Sequence, residues 1–236
     1  MGVLHLPERK KPPVVIICHG FQNTKTDKKY IKLARALQKE GILAFRFDFE
    51  GCGDSEGNPR ELTVKREVSD LNSALKTVFE KCHADSKRIA LVGGSLGSVV
   101  ISLFVQKFKI LAKTLVFWSQ AFNQKDLIKI WFTKDDLEKL KKESVLIKGE
   151  KEIGIADYLE NRNKDYAFLL SKIKLPILLI HGAEDKDVPL EFSEKLAKRY
   201  RNISLKIIPK ANHKFDDIFH QEKAIHLTVK WIKKYL

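Results

Sequence analysis

Gly93-Gly94-Ser95-Leu96-Gly97 sets a serine among glycines, where an apolar run gives way to a helical pattern. A serine hydroxyl attacks a carbonyl only if a base takes its proton and the turn carrying it stands clear of its surroundings. Flanking glycines permit that tight turn and let the following helix pack closely on the preceding strand. The same five residues would also suit an ordinary glycine-rich strand–helix turn, so the serine needs partners elsewhere. His181-Gly182-Ala183-Glu184-Asp185 and Ala211-Asn212-His213 offer them. His213 would serve as the base, and Asp185 would orient its imidazole and stabilise the charged form. Asp185 would equally suit a helix-capping loop, Asp187 is a rival carboxylate two positions on, and His213 is one of seven histidines.

A tetrahedral oxyanion needs N–H donors. His19-Gly20-Phe21 follows the first long apolar run, and Gly20 lets the chain turn sharply and present the Phe21 N–H. The Leu96 N–H, at the start of the helix after Ser95, would be the second donor. A plain glycine turn after a buried strand would read the same way.

The elements that must position these residues alternate. Val14 to Cys18, Ile42 to Phe47, Arg88 to Val92, Thr114 to Trp118, Pro176 to Ile180 and Ile203 to Ile208 are rich in β-branched and aliphatic residues and read as strands. Between and after them, Tyr30 to Leu37, Leu62 to Phe79, Leu96 to Phe108, Leu190 to Tyr200 and Ile218 to Leu236 carry apolar residues at helical spacing. Strand–helix alternation over most of the chain predicts an α/β fold, a mostly parallel sheet with helices on both faces. Its candidate catalytic residues then fall in loops at the carboxyl ends of strands, which share one rim. The order Ser, Asp, His is that of an α/β-hydrolase.

Residues 120–165 break the alternation. The stretch is too long for a connection and too charged for core, and Ser144 to Ile147 and Glu152 to Ile155 flank Gly149 as a hairpin would. The expected organisation is therefore a core of residues 1–119 and 166–236 with an inserted cap over 120–165. Trp118, Trp131, Phe132 and Leu137 are candidates to line an apolar acyl pocket beneath that cap, or simply to pack it.

Composition excludes other classes. The chain has 236 residues, 44% of them hydrophobic, which suits one sizeable domain and not a disordered chain. Its longest apolar runs are too short to span a bilayer, and no repeat period recurs. Forty-four Lys and Arg against 30 Asp and Glu give +14, but the basic residues are interleaved with acids along nearly every predicted helix. That pattern marks a solvated surface and argues against a nucleic-acid partner. Cys18, Cys52 and Cys82 show no CxxC spacing, so neither a zinc site nor a disulfide framework is readable. The N-terminal stretch lacks the apolar core of a signal peptide, and a cytoplasmic setting is expected. The serine chemistry needs no metal or organic cofactor. The expected partner is a small-molecule ester, and a homodimer is left open.

His19-Gly20-Phe21-Gln22-Asn23 and the run from Arg46 to Gly57 resemble the small bacterial and archaeal serine esterases of the α/β-hydrolase superfamily. Within it, the chain is most similar to the cinnamoyl (feruloyl) esterases, over nearly its whole length. The resemblance implies that Ser95, Asp185 and His213 form a catalytic triad. It also implies that Asp48 and Asp54 belong to a structural loop and that a cap lies between the strands at Thr114 and Pro176. Three departures stand out: the cap is the least similar part, Ser119-Gln120-Ala121 replaces a proline-containing turn, and the stretch before Pro12 leaves little room for an early edge strand. The resulting expectation is a serine carboxylesterase for short-chain or aromatic esters working through an acyl-enzyme. The alternatives are a monoacylglycerol-lipase-like enzyme, an acyl-peptide hydrolase, and a non-catalytic binding protein on a hydrolase scaffold.

Overall fold

Val14–Cys18 (β2) is apolar at every position because neighbouring side chains enter different cores. Val14, Ile16 and Cys18 pack into a cluster of 34 buried residues, Val15 and Ile17 into one of 20 on the opposite face. A strand covered on both faces cannot alternate polar with apolar residues. The computed structural model describes all 236 residues and shows this two-sided burial across the five inner strands of a seven-stranded sheet.

The strands are β1 (Gly2–His5), β2, β3 (Leu43–Phe47), β4 (Ile89–Gly94), β5 (Ala112–Trp118), β8 (Ile177–Gly182) and β9 (Ile203–Ile208), in the spatial order β1-β3-β2-β4-β5-β8-β9. All neighbouring pairs are parallel except β1 with β3. The edge strand that the N-terminal stretch seemed too short to supply is thus present: Gly2 to His5 pair with Phe47 to Ala44. Four residues suffice for an antiparallel edge, and a Cβ on Gly2 would collide with the Phe45 ring.

Helices α2 (Val64–Lys81) and α3 (Leu96–Phe108) cover the larger cluster, and α1 (Lys28–Lys39) and α8 (Ile218–Tyr235) the smaller. Helix α7 (Leu190–Arg199) joins the larger through Leu196. Between β5 and β8 the chain forms α4 (Gln124–Trp131), α5 (Lys134–Glu143), the hairpin of β6 (Val145–Lys148) and β7 (Lys151–Gly154), and α6 (Ile155–Asn161). Ile128, Leu140, Leu146, Ile153 and Tyr158 give this segment a small core of its own. Leu137 packs there too and does not reach the cavity described below.

Candidate active site

The elbow after β4 is built by glycines. A Cβ on Gly93 would lie 2.7 Å from the Gly97 carbonyl, and one on Gly97 would lie 2.6 Å from the His19 carbonyl oxygen. Strand β4, the start of α3 and the end of β2 can therefore meet only without side chains at these positions. Ser95 pays for the closeness with a left-handed φ of 50°, a conformation costing a non-glycine residue about 1 to 3 kcal/mol. Its N–H donates to the Trp118 carbonyl and its own carbonyl accepts from Ser98, so the strained turn is held from both sides.

Gly20 lies against this turn, with the position of an added Cβ 3.1 Å from Ser95 Cβ. Neither the Phe21 N–H nor the Leu96 N–H has an acceptor within the protein, so both donors beside Ser95 are unspent. Leu96 is also the first residue of α3, where the helix dipole is positive. The turn is braced from behind by His19, 1% exposed, whose Nδ1 lies 2.8 Å from the Gly20 carbonyl oxygen while Nε2 accepts from the Phe49 N–H at 3.1 Å. Burial pushes the His19 imidazole down to about 4, so it stays neutral and can accept. Asp48 and Asp54 hold the Lys25 ammonium beneath the same loop, and neither faces the cavity.

Of the two aspartates after β8, Asp185 meets the histidine. His213 Nδ1 lies 2.9 Å from Asp185 Oδ2, and Oδ1 accepts from the Asp187 and Val188 N–H groups at 3.0 and 2.8 Å. The Asp187 side chain is exposed and makes no ion pair. Burial would raise the Asp185 carboxyl, but donors from His181, His213 and Val188 outweigh it and hold the group well below the usual carboxylate range. With Nδ1 donating to an ionised carboxylate, His213 Nε2 keeps the lone pair of a base.

A relay with no signal in local sequence stands behind Asp185. His181, fully buried, brings Nε2 to 3.1 Å from Asp185 Oδ2 and 2.9 Å from the Val188 carbonyl; its Nδ1 lies 2.8 Å from Ser193 Oγ, which receives Gln120 Nε2 at 3.2 Å. Spacing gave no hint of it, because the partners come from three separate loops and helices.

Ser95 and His213 open into one cavity of about 900 Å³, lined also by Phe21, Leu96, Trp118, Trp131 and Phe132. No direct hydrogen bond joins Ser95 Oγ to His213, which is common before substrate aligns the pair. Trp118 touches this cavity from the core: it is 2% exposed, its indole N–H donates to Thr228 of α8 at 2.9 Å, and its ring packs on Phe215. Trp131 and Phe132 are half-buried and come from the segment after β5. Trp131 Nε1 donates to the Asp187 carbonyl at 2.8 Å, tying that segment to the loop of Asp185.

A profile of the prolyl oligopeptidase family matches residues 56–236, most of the chain and all of the loops carrying Ser95, Asp185 and His213. The chain belongs to this family. Among curated relatives it is similar to the mouse acylamino-acid-releasing enzyme (22% identical, covering 98% of this chain and 32% of that enzyme). It is also similar to human Protein ABHD12B (25% identical, covering 80% of this chain and 50% of that protein). The chain thus spans about a third to a half of the length of these relatives. Est1E from Butyrivibrio proteoclasticus, solved with ferulic acid bound, shares the fold with a TM-score of 0.87 at 21% identity, over 100% of this chain and 94% of that one. The chain has the α/β-hydrolase fold. No helix is long and apolar enough to cross a membrane.

Proposed function

We propose that the protein is a serine hydrolase of carboxylic esters, with Ser95 as nucleophile, His213 as base and Asp185 as its orienting acid. The observation that carries this reading is the 2.9 Å contact between Asp185 and a His213 that lines the same cavity as a serine held at φ 50°. Ser95 Oγ attacks the ester carbonyl as His213 Nε2 takes its proton, and the Phe21 and Leu96 N–H groups receive the oxyanion. Collapse breaks the carbon–oxygen bond, His213 protonates the departing alcohol, and Ser95 is left acylated. Water then attacks the acyl carbon, gives its proton to His213, and the acid leaves as Ser95 regains that proton.

The cavity supports a small ester substrate, since its size falls within the range of ordinary small-molecule sites. Trp131 and Phe132 would form the apolar wall of an acyl pocket, residues 120–165 would act as its cap, and Trp118 would form its floor. Likeness to a structure with ferulic acid bound favours an aromatic acyl group. The similarity to acylamino-acid-releasing enzymes supports a second reading, cleavage of an acylated amino acid or peptide, because the same triad also cuts amides.

Initial rates on nitrophenyl esters of rising acyl length, methyl ferulate and an acetylated amino-acid anilide test both readings. The wild type should turn over esters, with Ser95→Ala slower by at least about 10⁴-fold. Preference for the anilide would favour the second reading. Full activity in Ser95→Ala would refute the assignment.

A further inference from the structure

The hairpin of β6 and β7 is fixed over the loop of Phe21. The Gln22 side-chain amide clasps the backbone of Glu152, donating to its carbonyl at 2.6 Å and accepting from its N–H at 3.0 Å. Arg60 Nε adds an ion pair to the Glu152 carboxylate at 2.6 Å, and Gly154 meets the Arg60 carbonyl so closely that no Cβ would fit. Lys151, one residue before the clasp, is thereby set at a defined place: its Nζ lies 5.2 Å from the centre of the Phe21 ring. That is the residue whose N–H faces the reacting carbonyl in the mechanism above.

Lys151 has no carboxylate within ion-pair distance, and neither has Lys214, the residue after His213. Both line the cavity. Lys151 is open to solvent yet surrounded by the cavity walls, and this burial, then the nearby charge of Lys214, pushes its ammonium down. The two cations thus face one cavity, together with Phe21 and His213. Other charged groups around the cavity do not cancel them. Asp27 pairs with Lys29, and Lys148 with Asp136. Burial and the Glu160 charge raise Asp157 to about 7, so it is about half protonated near neutral pH. Asp187 steadies Lys151 from a distance without pairing, and Glu150 is likewise unpaired. With Lys186, three unpaired lysines face Glu150, Asp187 and the partly protonated Asp157 in one concave space. Two cations that face one cavity without a paired carboxylate gain from an anion that reaches both.

We propose that Lys151 and Lys214 form an anion subsite, so that the preferred substrate carries a carboxylate at the end remote from the scissile ester bond. This rests on the serine-hydrolase reading and names its substrate class.

The test compares nitrophenyl monoesters of succinate, glutarate and adipate with neutral nitrophenyl esters of matching acyl length, for wild type, K151M and K214M. Methionine keeps the length of the lysine stem and removes its charge. The wild type should favour one of the monoesters over its neutral match by about tenfold or more in kcat/KM. That preference should shrink about tenfold in K151M, chiefly through KM, and fall with added salt in the wild type only. Equal rates for charged and neutral esters in the wild type would overturn the proposal, as would K151M slowing both alike. If the wild type cleaves no ester at all, the hydrolase reading fails separately. Calorimetric binding of glutarate to wild type and K151M then decides the subsite: binding lost in K151M upholds it, and no binding to wild type rejects it.

Discussion

His181 Nε2 lies 3.1 Å from the same Asp185 Oδ2 atom that receives His213 Nδ1 at 2.9 Å, so one carboxylate oxygen serves two imidazoles. His181 does not line the cavity; it acts through Asp185. Removing it leaves the carboxylate more basic and less firmly aimed. A hydrogen bond to a charged group contributes roughly 1.5 to 3 kcal/mol. His181→Ala should therefore lower kcat/KM by about 10- to 100-fold and move the acid limb of its pH profile upward, because a more basic carboxylate holds the His213 proton more tightly. Ser193→Ala should do the same more weakly. A loss of rate with an unmoved profile would make His181 merely a packing residue.

Asp185→Asn tests the orienting role directly. The amide would still fill the space, but it presents an N–H where His213 needs an acceptor, favouring the wrong tautomer. In a comparable triad that change costs about 10⁴-fold in turnover. Asp187→Asn, whose side chain is exposed and unpaired, should cost less than about threefold in ester hydrolysis, within the small range of surface changes. Steady-state rates for the two variants on one neutral ester suffice, and equal losses would put the acid assignment in error.

Gln22→Ala should loosen the hairpin without touching the elbow. It removes both hydrogen bonds to Glu152 and a third to the Pro59 carbonyl at 3.3 Å. At a net 0.5 to 1.5 kcal/mol per bond, the hairpin amides should exchange roughly 10-fold faster or more with solvent deuterium. KM should rise more than kcat falls, since the hairpin forms the wall of the cavity and carries none of the reacting groups. Unchanged exchange at 145–154 would contradict the anchoring.

The sequence disclosed what depends on short-range pattern. Apolar runs and helical spacing located nearly every core element, because the inner strands are buried on both faces and most helices on one. The elbow, Asp185 and His213 were legible because each sits just after a strand, where the parallel sheet gathers its loops. Strand β1 was missed because its pairing with β3 joins residues about 40 positions apart and rests on four positions. The His181–Ser193–Gln120 relay and the closeness of Lys151 to Phe21 were invisible for the same reason: each joins residues that only the folded chain brings together. From its type Leu137 could line the pocket or pack beside it, and it packs in the small core of the segment between β5 and β8.

Stability should depend on pH through buried groups of opposite sign: His19 on one side, and Asp157 with Glu67, whose carboxyl burial also pushes up, on the other. His19 titrates near 4 in the folded chain against an ordinary 6.5, because burial disfavours its charged form. Between those values the unfolded chain binds more protons, so this term is complete above pH 6.5 and about 3 kcal/mol is lost as pH falls to 4. Asp157 titrates near 7, raised by burial and by Glu160. Between its ordinary 3.8 and 7 the folded chain binds more protons, so its term is favourable at low pH and is lost as pH rises. In the wild type the His19 term therefore offsets part of the opposing carboxyl trend from pH 4 to 6.5. Denaturant unfolding of His19→Asn should expose the carboxyl trend, with stability falling as pH rises. Asp157→Asn combined with Glu67→Gln should expose the His19 trend, with stability rising over the same interval. Two variant curves that slope the same way would show that these residues do not carry the pH dependence.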